Sequence, residues 1–246
     1  MFKGKKFIVA VVLSATLGVN AMAISESEAK VQAEMLAEFL TLGRIAVAHS
    51  LAEFKINDAA KGDKGFTADI FAGKINEAFK ASKKVDIIAG TGGEALPAGT
   101  MDLLKKIMNA SKKVVNDNLA LINTQGLGFK GFIPASYGRQ VGDIFAAETG
   151  IKLKQTTDKL RNEYNKPDAF EKGIIDKMLK GEIKKDEVFF AKEGSDYRLT
   201  KPLYIVKGCL GCHGDPVGEL DVAGRKKEGY KEGDLRGIIS VKIPAK

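Results

Sequence analysis

Two cysteines and two histidines are all the thiol and imidazole that the 246-residue chain carries, and three of the four stand together as Cys209-Leu-Gly-Cys212-His213. C-x-x-C-H is the attachment spacing of c-type haem: the two thiols form thioethers with the two vinyl groups of one haem, and the adjacent imidazole is thereby brought onto the iron. Three other chemistries compete. A structural zinc needs four ligands, and Cys209, Cys212, His213 and His49 would exhaust the supply. A thioredoxin-like pair stands at a helix amino terminus, whereas Gly208 before the motif and Gly214-Asp215-Pro216 after it read as loop. A plain disulfide leaves His213 without a role. One covalent haem is the reading that uses all three residues, with a disulfide or a bound metal as the alternatives.

Iron on His213 calls for a second axial ligand from elsewhere in the chain. His49 is the only other histidine, and Met35, Met101, Met108 and Met178 are the thioether candidates. Ser25-x-x-Glu28 is a capping-box pattern that opens a long helix to about Asn57, with Met35, Phe39, Leu42, Ile45, His49 and Ala52 on one stripe. His49 is therefore expected to point inward. Without a haem such a residue is a satisfied core histidine. With one, the stripe is an apolar wall bearing a single nitrogen ligand, and His49 is expected on the iron ahead of a methionine or an open site. No third cysteine exists, so thiolate ligation is excluded.

The amino terminus is an address. Lys3, Lys5 and Lys6 precede the apolar run Phe7 to Val19, and Ala21-Met22-Ala23 supplies the small-x-small pattern of a Sec-type signal peptide over residues 1–23. That run is shorter than the ~20 residues of a spanning helix, and no later segment is expected to cross a bilayer. The mature product is expected in the periplasm, without stable membrane insertion, on the side where c-type haem is attached. Cleavage removes three lysines and no acid, taking the net charge from +8 to +5. With 44% hydrophobic and 28% charged residues the composition is that of a folded protein. The lysines are spread without interleaved aromatics, a poor footprint for nucleic acid.

Positioning these residues falls to two kinds of element. Helices are predicted over about 67–82, 100–121, 136–148 and 168–179. Alternation over 151–157 and the β-branched or aromatic segments 188–191, 197–206 and 235–243 predict an antiparallel sheet. The chain thus divides into a helical region, 24–125, and an α+β region, 126–246, that carries the motif, the two forming one compact unit. Gly126-Leu-Gly128-Phe-Lys-Gly131 matches a dinucleotide-binding pattern but follows a helix and meets Pro134, so it is read as an interdomain turn.

Blocks along the second region carry a resemblance. Phe132-Ile-Pro-Ala-Ser-Tyr-Gly-Arg139, Thr149 to Thr156, Arg161-Asn162, Asn165 to Asp168 and Phe170-Glu171 occur in the order of the Tll0287-like (DUF3365) c-type haem family. Pro202-Leu-Tyr204, the haem motif and Gly233-Asp-Leu-Arg-Gly237 continue it. The chain departs at Glu163, where the family usually has proline. The resemblance covers about Phe132 to Pro244 and fits the helical half, with His49, more loosely. It implies a PAS-like antiparallel sheet with flanking helices, one covalent haem c, and periplasmic redox chemistry or haem-based sensing. Arg139 and Arg161 match recurring positions, and the resemblance makes them candidates to pair with haem propionates, since Arg binds carboxylates bidentately; a structural or surface role is the alternative.

The reading is a monohaem c-type cytochrome with iron between His213 and His49, exchanging single electrons with a redox partner protein or a small-molecule donor or acceptor. A closed coordination sphere leaves no site for substrate chemistry, so an enzyme is disfavoured. A haem-based redox or gas sensor that signals to a separate partner is the alternative function.

Overall fold

The computed structural model describes residues 24–245. The expected signal peptide and Ala23 lie outside the described residues.

The first helix, α1 (Glu26–Glu53), starts as its capping box requires: the Glu28 amide donates to Ser25 Oγ at 3.3 Å, and the Ser25 amide donates to Glu28 Oε2 at 2.9 Å. Its buried side runs through Ala29, Ala33, Leu36, Leu40, Val47 and Ser50. The inward orientation expected for His49 is corrected by this. His49 is exposed, and Ile45, one turn before it, is 46% exposed. α1 is apolar around most of its circumference, so helical spacing alone did not single out the side that meets the sheet. By length and composition α1 also passes as a membrane span, with a mean hydropathy of 1.3, contrary to expectation. Its apolarity is used against the sheet and the other helices, and 44% of that window is buried.

α2 (Ala68–Lys83), α3 (Thr100–Ile122) and α4 (Pro134–Thr149) pack with α1 into a helical layer. α4 begins two residues earlier than predicted, because proline at the first helical position sacrifices no hydrogen bond. Gly43 and Gly142 permit two close crossings. A Cβ at Gly43 would run into the Tyr137 ring, whose hydroxyl is hydrogen-bonded to Ser111 at 2.8 Å. A Cβ at Gly142 would run into the Leu153 carbonyl. The 126–131 glycines form the turn between α3 and α4, where the Gly126 amide donates to the Ala59 carbonyl at 2.9 Å.

β1 (Lys152–Thr156), β2 (Phe189–Glu193), β3 (Asp196–Tyr204) and β4 (Leu235–Pro244) form one antiparallel sheet in the order β1-β4-β3-β2. The fold is α+β. Tyr197, Leu199, Ile239, Val241 and Leu153 join the same core as the helical layer. α5 (Ala169–Leu179) packs against β4, and a buried Arg198 reaches Asp168 and Glu193 at 2.7 Å. The connection from β3 to β4 is closed at its neck: Ile205 donates to the Asp234 carbonyl and Gly233 to the Ile205 carbonyl, both at 2.9 Å. The motif hangs from that neck.

Candidate functional site

Cys209 ends a 3₁₀ turn (Lys207–Cys209), and Leu210 to His213 form a single helical turn, α6. The loop expected here is therefore coiled, but it stops at once at Gly214, where a Cβ would meet the Leu210 carbonyl. Both thiols are free and partly exposed. Burial, with Asp221 beside it, pushes the Cys212 thiol up, the opposite of an activated redox thiol. Among the described residues no three His, Cys, Asp or Glu side chains gather as a metal-ion site, which leaves the zinc alternative without a ligand set.

His213 is gripped from several sides. Its carbonyl accepts the Tyr230 amide at 2.9 Å, and its ring meets Tyr230 edge-on at 6.4 Å between centroids. Its Nδ1 lies 3.0 Å from Glu228 Oε2 and 3.2 Å from Arg161 Nη1. Burial, assisted by Arg236, pushes the imidazole below its ordinary pKa against the pull of Glu228. No described residue hydrogen-bonds Nε2.

Arg161 reaches this loop from the β1–α5 connection. It donates to the Cys212 carbonyl at 3.3 Å, pairs with the buried Asp221 carboxylate, and lies 3.5 Å from Glu228 Oε1. Its contacts are thus those of the structural alternative. Arg139 pairs with Asp143 at 3.3 Å and covers the Tyr164 ring at 5.2 Å.

A different arginine stands uncommitted. Arg44 of α1 has its stem over Gly138, and its guanidinium feels Cys209 and Arg236. Burial pushes it down to about 10, and no ion pair to a described carboxylate offsets it. Arg44 Nε, Arg161 Nε, Glu228 Oε1 and Tyr230 Oη are all buried without a hydrogen-bond partner. Val206, Val217, Leu220 and Val222, around the motif, are all more than half exposed. Unpaired thiols, an open imidazole nitrogen, orphaned polar atoms and uncovered apolar side chains fit a large, flat, apolar group with carboxylates at its edge.

α1 passes this site. Glu38 pairs with Lys201 of β3, and Leu42, Ile45 and His49 follow Glu38 at helical spacing along the same side. His49 thus stands exposed, at helical spacing from Glu38, and Arg44 lies near Cys209. Three of the four thioether candidates are engaged elsewhere, Met108 buried in the core and Met35 and Met101 packed against it, while Met178 is half-buried on α5.

Glu228, Arg236 and Arg44 were missed from the sequence. Arg236 lies inside the Gly233–Gly237 block, which was a usable signal. Glu228 stands in a charged run that reads as a solvated loop.

A family model described as Tll0287-like matches residues 23–244. None of the curated proteins matches. Among solved structures, the "crystal structure of the cyanobacterial heme-protein Tll0287" is similar, at 21% identity and a TM-score of 0.41, covering 58% of this chain and 95% of that one. With the family match running through both the helical layer and the sheet, the chain belongs to the Tll0287-like family.

Proposed function

We propose that this chain binds one haem covalently through Cys209 and Cys212, with His213 and His49 as axial ligands, and serves in the periplasm as a one-electron carrier. The observation that carries the reading is His213: its Nδ1 is held by a buried carboxylate, its Nε2 has no hydrogen bond to a described residue, and the two thiols before it in the motif are unpaired. The structural neighbour's description as a haem protein agrees. When bound, the haem supplies a ferric/ferrous couple. The chain's residues do the rest. Cys209 and Cys212 fix the vinyl edge, and Glu228 selects the tautomer that leaves Nε2 unprotonated. Arg44, lacking a carboxylate, is the best-disposed guanidinium for a propionate, ahead of Arg139 and Arg161, whose charges are already paired.

Expressed with its leader and a c-type maturation system, the protein should keep its haem through acid-acetone extraction. Its intact mass should equal a chain beginning at Ile24 plus one haem. A Cys209→Ala/Cys212→Ala variant should lose the haem. Apoprotein with a Cys209–Cys212 disulfide under those conditions would overturn the reading.

One observation favours the sensor alternative. No hydrogen bond from a described residue holds the His49 ring, so this ligand would be free to swing away for a diatomic gas. Rapid carbon monoxide binding by the native ferrous protein would make sensing the better reading.

A further inference from the structure

The Nδ1 atom of His213 faces two groups that make opposite demands. Glu228 Oε2, at 3.0 Å, can only accept a proton from it, whereas Arg161 Nη1, at 3.2 Å, can only donate one. A metal on Nε2 requires the proton on Nδ1, so the bond to Glu228 must form and the Arg161 donor must go to the Cys212 carbonyl, 3.3 Å away. Glu228 is itself set within cations. Its side chain is 13% exposed, Oε1 lies 3.5 Å from Arg161 Nε and 3.6 Å from Arg236 Nη2, and that same Oε1 has no hydrogen-bond partner. These are ion-pair separations without hydrogen bonds, so the two guanidiniums temper the carboxylate's charge without taking its lone pairs.

We infer that Glu228 is the positioning residue of the His213 ligand, and that Arg161 and Arg236 set how strongly its carboxylate draws on the Nδ1 proton. The inference rests on the haem reading above. A carboxylate hydrogen-bonded to a ligand imidazole fixes the ring and makes the other nitrogen a stronger donor. A stronger donor favours the ferric over the ferrous state and lowers the potential. Glu228 and the arginines therefore act with opposite sign: removing the anion raises the potential, and removing a cation behind it lowers the potential. A purely structural contact gives no such pair of signs.

The test uses the mature protein with its attached haem. Glu228→Gln keeps the shape and removes the charge. It should raise the midpoint potential by at least a tenfold change in the ferric/ferrous ratio, which is 59 mV for a one-electron couple. With His49→Ala added, so that carbon monoxide can bind, it should also lower the iron–histidine stretching frequency in the Raman spectrum of the ferrous protein after photolysis. Glu228→Asp should recover part of both. Arg236→Gln should move the potential the other way, and it is preferred to Arg161→Gln because the latter strands the buried Asp221. Glu232→Gln removes the same charge from an exposed position on the same loop, and should shift the potential less. Covalent haem with a potential shifted equally by Glu228→Gln and Glu232→Gln, or shifted in the same direction by Glu228→Gln and Arg236→Gln, sinks the inference and leaves the haem reading standing. Absence of covalent haem from the unmutated protein sinks the haem reading itself.

Discussion

His213 and His49 stand in regions that the fold treats oppositely. His213 sits in a short turn hung from the neck of the β3–β4 connection, and Glu228, Arg161 and Tyr230 each touch it. His49 projects from a long, well-packed helix, yet no described side chain hydrogen-bonds it. The rigid element carries the loosely held imidazole, and the irregular loop carries the tightly held one. Position can come from the backbone or from neighbouring side chains. Covalent attachment, as proposed, would demand that Cys209, Cys212 and His213 hold one arrangement, and a loop would achieve that only through added contacts. A side chain such as His49 on a helix is placed by the helix and stays free to rotate about its own bonds.

The largest effect should come from the loosely held side. His49→Ala should leave the haem attached but convert the iron from low to high spin and open it to fast carbon monoxide binding, read from the absorption spectrum. Since His49 is exposed, the same change in the haem-free Cys209→Ala/Cys212→Ala background should move the melting temperature little, surface substitutions being worth about 0.5 kcal/mol or less. Native protein with a methionine-type band near ~695 nm, or an unchanged spectrum in the variant, would end the contrast by taking His49 out of the site.

The motif itself is local: Cys209, Cys212 and His213 are singled out by their spacing, and the structure places them in one turn. The capping box at Ser25 and the strand alternation over 152–156 are local in the same way, and those elements appear within a few residues of expectation. What holds His213 was not legible. Glu228 follows it across a folded-back loop, and Arg161 comes from beyond β1, so neither has a periodic relation to the motif. The side of α1 that carries His49 was misread for the converse reason: apolar residues surround the helix, and only the sheet, formed by distant sequence, decides which side is covered.

A smaller effect is expected at Arg44, near Cys209. In the haem-free chain its buried charge lacks a carboxylate, so Arg44→Gln should leave the Cys209→Ala/Cys212→Ala background unchanged or slightly more stable. In the haem-loaded protein the same change should cost about 1–3 kcal/mol, the scale of a lost charge-assisted hydrogen bond. Urea denaturation of the two backgrounds gives both numbers. Equal losses in both would assign Arg44 to packing and remove it from the propionate edge.

The smallest effect lies away from both imidazoles and tests whether the helical layer fails independently of the site. Asp86 closes the loop after α2: its Oδ1 accepts the Ala89 amide and the Asn76 side chain, both at 2.9 Å, and its Oδ2 pairs with Lys80 at 3.1 Å. Those bonds, the Ala89 amide foremost, hold its carboxyl down to about 2 against an ordinary 3.8. A carboxyl with a depressed folded pKa contributes stability that is complete above the unfolded value and is lost as pH falls through the folded one. The contribution of Asp86 should therefore disappear between about 3.8 and about 2. Asp86→Asn should lower the melting temperature modestly at neutral pH and flatten its fall across that acid window, while the haem absorption at neutral pH stays unchanged. A haem spectrum that shifts along with the Asp86 substitution would mean that the helical layer and the motif respond as one, and the separation between the two regions would have to be given up.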